Sequence, residues 1–85
     1  MRQYSNQVST GAMANHKVEH LTDRQEQLLR HIRMAITDEG DAPTVAELAA
    51  AVGMRPSSVH YQLGELEAKG AIVREPGTAR GIRLA

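Results

Sequence analysis

Two short helical patterns separated by a tight turn occupy residues 44–70, and this segment restricts the fold more than any other. Thr44 and Glu47 have the spacing of a capping box, which predicts the start of the first helix. The second helix is predicted over residues 57–69, with a start as early as Pro56 because proline suits the first helical position, and it carries small polar side chains on its exposed face. Two helices joined by so short a turn are typical of a helix-turn-helix, which places its second helix in the DNA major groove.

A longer helix is predicted before this pair, from about residue 23 to residue 38. Thr22 and Gln25 repeat the capping-box pattern at its start, and Gly40 is a typical stop after its end. Apolar residues at helical spacing predict one buried stripe on each of the three helices. In chain order these residues are Leu28, Leu29, Ile32, Ala35 and Ile36, then Leu48, Ala51 and Val52, and finally Val59, Leu63 and Leu66.

A β-hairpin is predicted over residues 71–84, after the third helix. Two short segments that read as strands flank a turn at residues 75–79, where Pro76 and Gly77 stand in the order that a type II turn favours. The predicted fold class is therefore mainly α with a small β-hairpin. Three helices followed by a hairpin form a winged helix-turn-helix, and we expect this domain to span residues 21–85.

The composition restricts the chain to one small domain of 85 residues without cysteine, so disulfides and thiolate metal sites are excluded. No apolar run approaches the roughly 20 residues of a membrane span, and no signal peptide is visible, so we expect a cytoplasmic protein. Residues 1–20 are polar and lack periodicity, which predicts a flexible N-terminal arm. The sequence leaves open whether translation starts at Met1 or Met13.

The formal net charge is zero, which is unusual for a protein that binds nucleic acid. The charges are nevertheless unevenly distributed. Acidic residues cluster between residues 38 and 47, whereas the chain from residue 55 onward carries five basic and three acidic residues. We therefore expect a basic face and only modest non-specific affinity for DNA, because that affinity scales with the number of phosphates neutralised.

Four segments in a fixed order carry a resemblance to a known family: Leu-Thr-Asp-Arg-Gln at residues 21–25, Ala-Pro-Thr-Val-Ala-Glu-Leu at 42–48, Leu-Glu-Ala-Lys-Gly at 66–70 and Arg-Gly-Ile-Arg-Leu at 80–84. Together they resemble the DNA-binding domain of the LexA repressor family. The resemblance implies a bacterial transcription factor that recognises a short operator with a winged helix. It covers about three quarters of the chain.

The chain departs from the family pattern in two respects. Full repressors of this type carry a second domain that dimerises them and cuts the linker with a Ser-Lys dyad, and this chain stops at Ala85, where that linker would begin. The resemblance therefore does not imply self-cleavage for this chain. The turn Met54-Arg55-Pro56 is one residue shorter than is usual in the family, and the helix after it carries different residues. We expect an operator that differs from the usual one.

Ser57, Ser58, His60 and Tyr61 occupy the first two turns of the third helix, where the family reads base edges. Serine hydroxyls can donate to or accept from bases, a histidine N–H can donate to guanine, and a tyrosine ring can contact the thymine methyl group. The alternative is a solvated helix face without function. An exposed tyrosine is hard to explain as part of the core, so we predict base contacts for these four residues.

Contacts to the DNA backbone are predicted for six residues: Arg24, Thr44, Arg55, Lys69, Thr78 and Arg80. The resemblance places Lys69 and Arg80 near the DNA backbone, and Arg24 in the first helical turn is expected to act in the same way. Arg55 precedes the third helix, and Thr78 lies at the tip of the hairpin, where a small residue can approach a minor groove. Thr44 caps its helix, whose amide end can also accept a phosphate. For each basic residue, an ordinary surface charge is the alternative.

Two functions are consistent with the sequence. The first is a sequence-specific regulator of transcription, most simply a repressor, that binds a double-stranded DNA operator and pairs on DNA as a weak homodimer or with a protein partner. The alternative is a protein-interaction module or antirepressor that uses the same fold to pair with a larger regulator. No catalytic pattern is present, so we expect neither an enzyme nor a cofactor nor a small-molecule ligand. His16 and His20 have metal-pair spacing without supporting ligands, so no metal is expected.

Overall fold

A computed structural model describes residues 20–85. The predicted arm, residues 1–20, lies outside the described residues except for His20, and so does Met13. The chain forms three helices followed by two strands: α1 (Asp23–Glu39), α2 (Val45–Val52), α3 (Pro56–Ala68), β1 (Ile72–Arg74) and β2 (Ile82–Leu84). The predicted fold class, mainly α with a small hairpin, is confirmed.

The helices α1 and α2 both begin with the predicted capping boxes. The Gln25 backbone N–H donates to Thr22 Oγ1 at 3.2 Å, and the Thr22 N–H donates to Gln25 Oε1 at 3.1 Å. Thr44 and Glu47 form the same reciprocal pair at 3.1 and 3.0 Å. These bonds satisfy backbone donors that have no partner inside the helix.

Helix α3 begins at Pro56, the earlier of the two predicted starts, and ends one residue before the predicted residue 69. Pro56 is its first helical residue, because a proline at this position loses only an N–H that would have no partner in the helix. Lys69 is the C-cap, and its N–H donates to the Glu65 carbonyl at 2.9 Å.

The hydrophobic core combines residues of all three helices with residues of the hairpin. Helix α3 contributes the three predicted residues Val59, Leu63 and Leu66, which are fully buried. The remaining members of the core are Leu28, Leu29, Ile32, Ala42, Leu48, Ala49, Val52, Ala71, Ile72 and Ile82.

Three predictions about the core were wrong or only partly correct. In α2 the buried alanine is Ala49, whereas Ala51 is exposed, because the side of α2 that packs on α1 and α3 contains Ala49. Ala35 and Ile36 of α1 are only half-buried. Ile36 borders an open groove beside Leu84, which explains its partial exposure.

The two strands pair antiparallel, with Ile72 opposite Leu84 and Arg74 opposite Ile82. The sequence predicts the strands over residues 71–74 and 81–84, so each strand begins one residue later than predicted. The turn between them contains Gly77 at φ 79°, the positive value that a type II turn requires at its third position. We call residues 71–84 the wing. Because Ile72 and Ile82 are buried in the core, the wing is held against the three helices.

Candidate nucleic-acid interface

Four side chains on the first two turns of α3 form an exposed surface that we call the recognition face: Ser57, Ser58, His60 and Tyr61. The helix turns by about 100° per residue, so these residues lie on the side away from the buried stripe. Tyr61 is 66% exposed. Within residues 20–85 none of the four side chains has a hydrogen-bond partner, so their donors and acceptors are available to a ligand.

The N-terminus of α3 differs from those of α1 and α2 because it has no side-chain cap. Arg55 occupies the N-cap position and makes no capping hydrogen bond. The first helical bond at this end runs from the Val59 N–H to the Arg55 carbonyl at 3.0 Å. The amides of Ser57 and Ser58 therefore have no partner inside the helix, and such amides favour anions. Arg55 itself is exposed and forms no ion pair with any described residue.

Lys69 points at the start of α1. Its Nζ donates to Gln25 Oε1 at 2.7 Å and to the His20 carbonyl at 2.9 Å. A lysine ammonium carries three N–H donors, so this arrangement leaves one for another acceptor. The structure thus gives Lys69 an internal role that the sequence did not indicate.

Arg80 joins the wing to the start of α2. Its Nη1 and Nη2 donate to the two carboxylate oxygens of Glu47, both at 2.9 Å, and Nη1 also donates to the Ala42 carbonyl at 3.1 Å. The hydrogen bond from Arg80, followed by that from the Thr44 backbone, lowers the pKa of Glu47 to about 2. The same pairing raises the pKa of Arg80. Thr44, Glu47 and Arg80 therefore form one cluster, in which the guanidinium charge is already balanced.

The remaining predicted backbone contacts lie at two separate places. Arg24 donates from Nη1 to Gln27 Oε1 at 3.2 Å and to the Val52 carbonyl at 3.4 Å. The latter contact places it beside the turn that leads into α3. Thr78 is exposed in the turn of the wing. The structure thus places Arg24 near the start of α3 and Thr78 on the wing.

The predicted basic face is largely neutralised by ion pairs. Besides the Arg80–Glu47 pair, Arg74 Nε lies 3.2 Å from Glu67 Oε1, and Arg83 Nη2 lies 3.3 Å from Glu75 Oε2. Each arginine of the wing therefore has an acidic partner, which reduces the positive potential that the sequence predicted from residue 55 onward.

A cleft of about 330 Å³ separates α3 from the wing. His60 and Glu67 of α3 line one side, and Arg74, Pro76 and Thr78 of the wing line the other. His60 thus belongs to the recognition face and also lines this cleft, so a ligand seated on α3 comes within reach of the wing beside His60.

Two residues of this region were not predicted as site residues. Gln62 of α3 accepts a hydrogen bond on Oε1 from Gln25 Nε2 at 3.0 Å. Gln25 was assigned only as a cap, although it is 4% exposed and is the one buried polar residue in the described part of the chain. The sequence signal that identifies Gln62 is its position, because it is a polar residue directly beside the apolar stripe of α3.

A helix-turn-helix supported by a third helix, with a hairpin beside the second helix of the motif, defines a winged helix-turn-helix domain. Comparison with known proteins extends this assignment. The family model described as the LexA DNA binding domain matches residues 18–81. The chain belongs to this family, which confirms the resemblance seen in the sequence.

Curated relatives support the same assignment. The LexA repressor of Azoarcus sp. (strain BH72) is 47% identical over 72 residues, which cover 84% of this chain and 36% of the relative. The LexA repressors of Aromatoleum aromaticum and Herminiimonas arsenicoxydans are 51% and 52% identical over 65 residues, which cover 75% of this chain and 32% and 30% of the relatives. The chain thus spans about a third of the length of these relatives. Within residues 20–85, no helix combines the length and apolar character that a membrane crossing requires.

Proposed function

We propose that this chain binds double-stranded DNA sequence-specifically and represses transcription. Residues 57–69 lie in the major groove, and the wing, residues 71–84, lies on the DNA backbone or in the minor groove. The observation that carries the proposal is the recognition face, whose polar side chains have no partner in the described residues although their helix is anchored by a fully buried stripe. The family match and the names of the relatives support it.

The chemistry of the recognition face suits base edges. Ser57 and Ser58 bring hydroxyls to base donors and acceptors, His60 brings a ring N–H to guanine, and Tyr61 brings an apolar ring to the thymine methyl group. Their helix rests on Val59, Leu63 and Leu66, all fully buried, so the contacts start from a fixed position. A fixed position lowers the entropy lost on binding.

The phosphate contacts follow from the surroundings of α3. Arg55, the amides of Ser57 and Ser58, and Arg24 beside the turn form one group near the start of this helix. The other four predicted backbone contacts, Thr44, Lys69, Thr78 and Arg80, remain part of the proposal. For three of them a phosphate has to share or replace an internal partner, since Thr44, Lys69 and Arg80 already make the bonds described above.

One helix-turn-helix reads only half of a typical operator. Useful specificity therefore needs a second copy, with half-sites about one helical turn apart. We expect the chain to pair weakly or not at all when free, and to pair on DNA or through a protein partner. Repression then follows most simply from blocking polymerase at a promoter. The bacterial origin of the relatives supports action in the bacterial cytoplasm.

The test is selection from a pool of random duplexes at two salt concentrations, with the wild-type chain and two variants. One variant replaces Ser58, His60 and Tyr61 with Ala. The other replaces the exposed α1 residues Met34 and Thr37 with Ala and serves as the matched control. A good bidentate base contact is worth about 1–3 kcal/mol, and we expect each of these three side chains to contribute about the lower end of that range. The first variant should therefore lose on the order of 100-fold in affinity for the selected duplex.

The wild-type chain and the control should enrich the same palindrome, with binding that weakens as salt rises. Absence of any enriched sequence at low salt contradicts the proposal. That result favours the protein-interaction module, for which the zero net charge is the best support. The family match does not favour this alternative.

A further inference from the structure

Both the oxygen and the nitrogen of the Gln25 side-chain amide are hydrogen-bonded inside the protein. Gln25 is the third residue of α1, and its Oε1 accepts from Lys69 Nζ at 2.7 Å and from the Thr22 N–H at 3.1 Å. Its Nε2 donates to Gln62 Oε1 at 3.0 Å. One buried side chain thus connects the start of α1 with both the middle and the end of α3.

The donors around Gln25 determine which way each amide faces. A lysine ammonium and a backbone N–H can only donate, so both require the oxygen of Gln25. The nitrogen of Gln25 must then face Gln62, and a donor there requires the oxygen of Gln62. The NH₂ group of Gln62 is therefore directed away from Gln25. Within residues 20–85 it has no hydrogen-bond acceptor, and the Gln62 side chain is half-buried.

Gln62 lies beside the recognition face. It directly follows Tyr61 and stands four residues after Ser58, which places it about 40° from Ser58 around the helix axis. Its position on the flank of α3 therefore makes it a neighbour of the proposed base contacts. An amide donor there can meet a hydrogen-bond acceptor of the duplex, either a phosphate oxygen or an acceptor atom on a base edge.

We infer that Gln62 is a further DNA contact, which donates from Nε2, and that Gln25 is the positioning residue that fixes the direction of this donor. The inference rests on the proposed function. Gln25 itself does not contact DNA. It acts only by holding the amide of Gln62 with the nitrogen facing outward.

The substitution Gln25→Glu tests the direction of the amide without removing the contact. A carboxylate at this position still accepts from Lys69 and Thr22, and Glu is a standard third residue of a capping box. It cannot donate, so Gln62 must reverse its amide and donate to residue 25, which leaves its oxygen facing the DNA. We expect an unchanged or higher melting temperature and a loss of about tenfold in affinity for the selected duplex.

A second variant separates this effect from the added negative charge. Gln62→Met removes the donor without adding charge, and it should also lower the affinity about tenfold. In the double variant, Gln25→Glu should add no further loss, because the donor that it reverses is already absent. A general repulsion between the introduced carboxylate and the phosphates would instead multiply the two losses.

Binding titrations of the four proteins with the duplex selected by the wild type decide the matter. Equal losses of affinity in the three variants support the inference. Gln62→Met can then either weaken the sequence preference at one base pair or weaken binding to all sequences uniformly, and both results support the inference. The first pattern identifies a base edge as the acceptor and the second a phosphate. Wild-type affinity in Gln25→Glu, or losses that multiply in the double variant, overturns the inference while the proposed function stands. If the wild type selects no duplex, the proposed function fails.

Discussion

Arg80 and Glu47 face each other as a bidentate ion pair, with both N–O distances at 2.9 Å. The same carboxylate accepts the Thr44 N–H at the start of α2. One side chain therefore completes a helix cap and also holds the wing, although Arg80 lies 33 residues further along the chain. Planar guanidinium and carboxylate groups match in this geometry, which makes such pairs more specific than single hydrogen bonds.

Because the Arg80–Glu47 pair holds the wing, we expect the stability of the wing to fall at acidic pH. The pKa of Glu47 is lowered from 4.5 to about 2, chiefly by the hydrogen bond from Arg80. A carboxyl group whose pKa is lower in the folded state stabilises the fold above the unfolded pKa, and this contribution is lost as the pH falls from about 4.5 towards 2. The net effect should be small, because both side chains are about half exposed and solvent screens the pair.

An NMR titration of the Glu47 carboxyl group and melting curves between pH 6 and pH 2 check this prediction. Glu47→Gln keeps the capping-box geometry, since Gln also serves at this position, but it removes the titrating group. The variant should therefore lose less stability than the wild type on acidification. A Glu47 midpoint near 4.5 would contradict the prediction.

Replacing Gly64 with Ala should stabilise the protein. Gly64 lies inside α3, where Gly costs about 1 kcal/mol relative to Ala. An added Cβ would lie 3.7 Å from Arg74 Nη2, which is ordinary van der Waals contact. We expect a melting temperature higher by roughly 4–8 °C per kcal/mol. Ala50→Gly, on the exposed side of α2, is the reverse control and should lower it. A lower value for Gly64→Ala would indicate that the Arg74–Glu67 pair cannot accommodate the methyl group.

Replacing Gly81 with Ala should disrupt the wing. A Cβ at this position would lie 2.5 Å from the Glu75 carbonyl oxygen and 3.1 Å from that of Thr78. Both are backbone atoms, so they can move away only if the turn itself is distorted. We expect a loss of about 1–3 kcal/mol in the free energy of unfolding, with NMR shift changes concentrated in the wing. Gly77→Asn is the matched control, because Asn tolerates positive φ and the space beside Gly77 is open. Equal stability of both variants would show that the turn rearranges freely.

Replacing Arg55 with Ala should weaken DNA binding without changing sequence preference. Arg55 makes no capping bond, so its removal should leave the melting temperature nearly unchanged. If it neutralises one phosphate, the slope of log affinity against log salt should fall by about 1. Arg83→Ala is the control, because Arg83 is already paired with Glu75. An unchanged slope for Arg55→Ala would remove Arg55 from the set of phosphate contacts.

Local patterns in the sequence predicted much of the fold. The capping boxes that begin α1 and α2 use residues three positions apart, so the sequence displays both partners at once. The stripe of α3 follows in the same way from helical spacing. Ala51 illustrates the limit of this approach. In so short a helix, Ala49 and Ala51 both fit the spacing, and only packing against α1 and α3 decides which of them is buried.

The sequence by itself determined the order of the elements, the N-terminal caps of α1 and α2, and the exposed face of α3, because each depends on residues close together in the chain. The tertiary structure decided what the long polar side chains do. Lys69 meets Gln25 across 44 residues, Gln25 meets Gln62 across 37, and Arg80 meets Glu47 across 33. Such pairs form only where two packed elements bring a donor within about 3 Å of an acceptor, and sequence spacing carries no information about that approach.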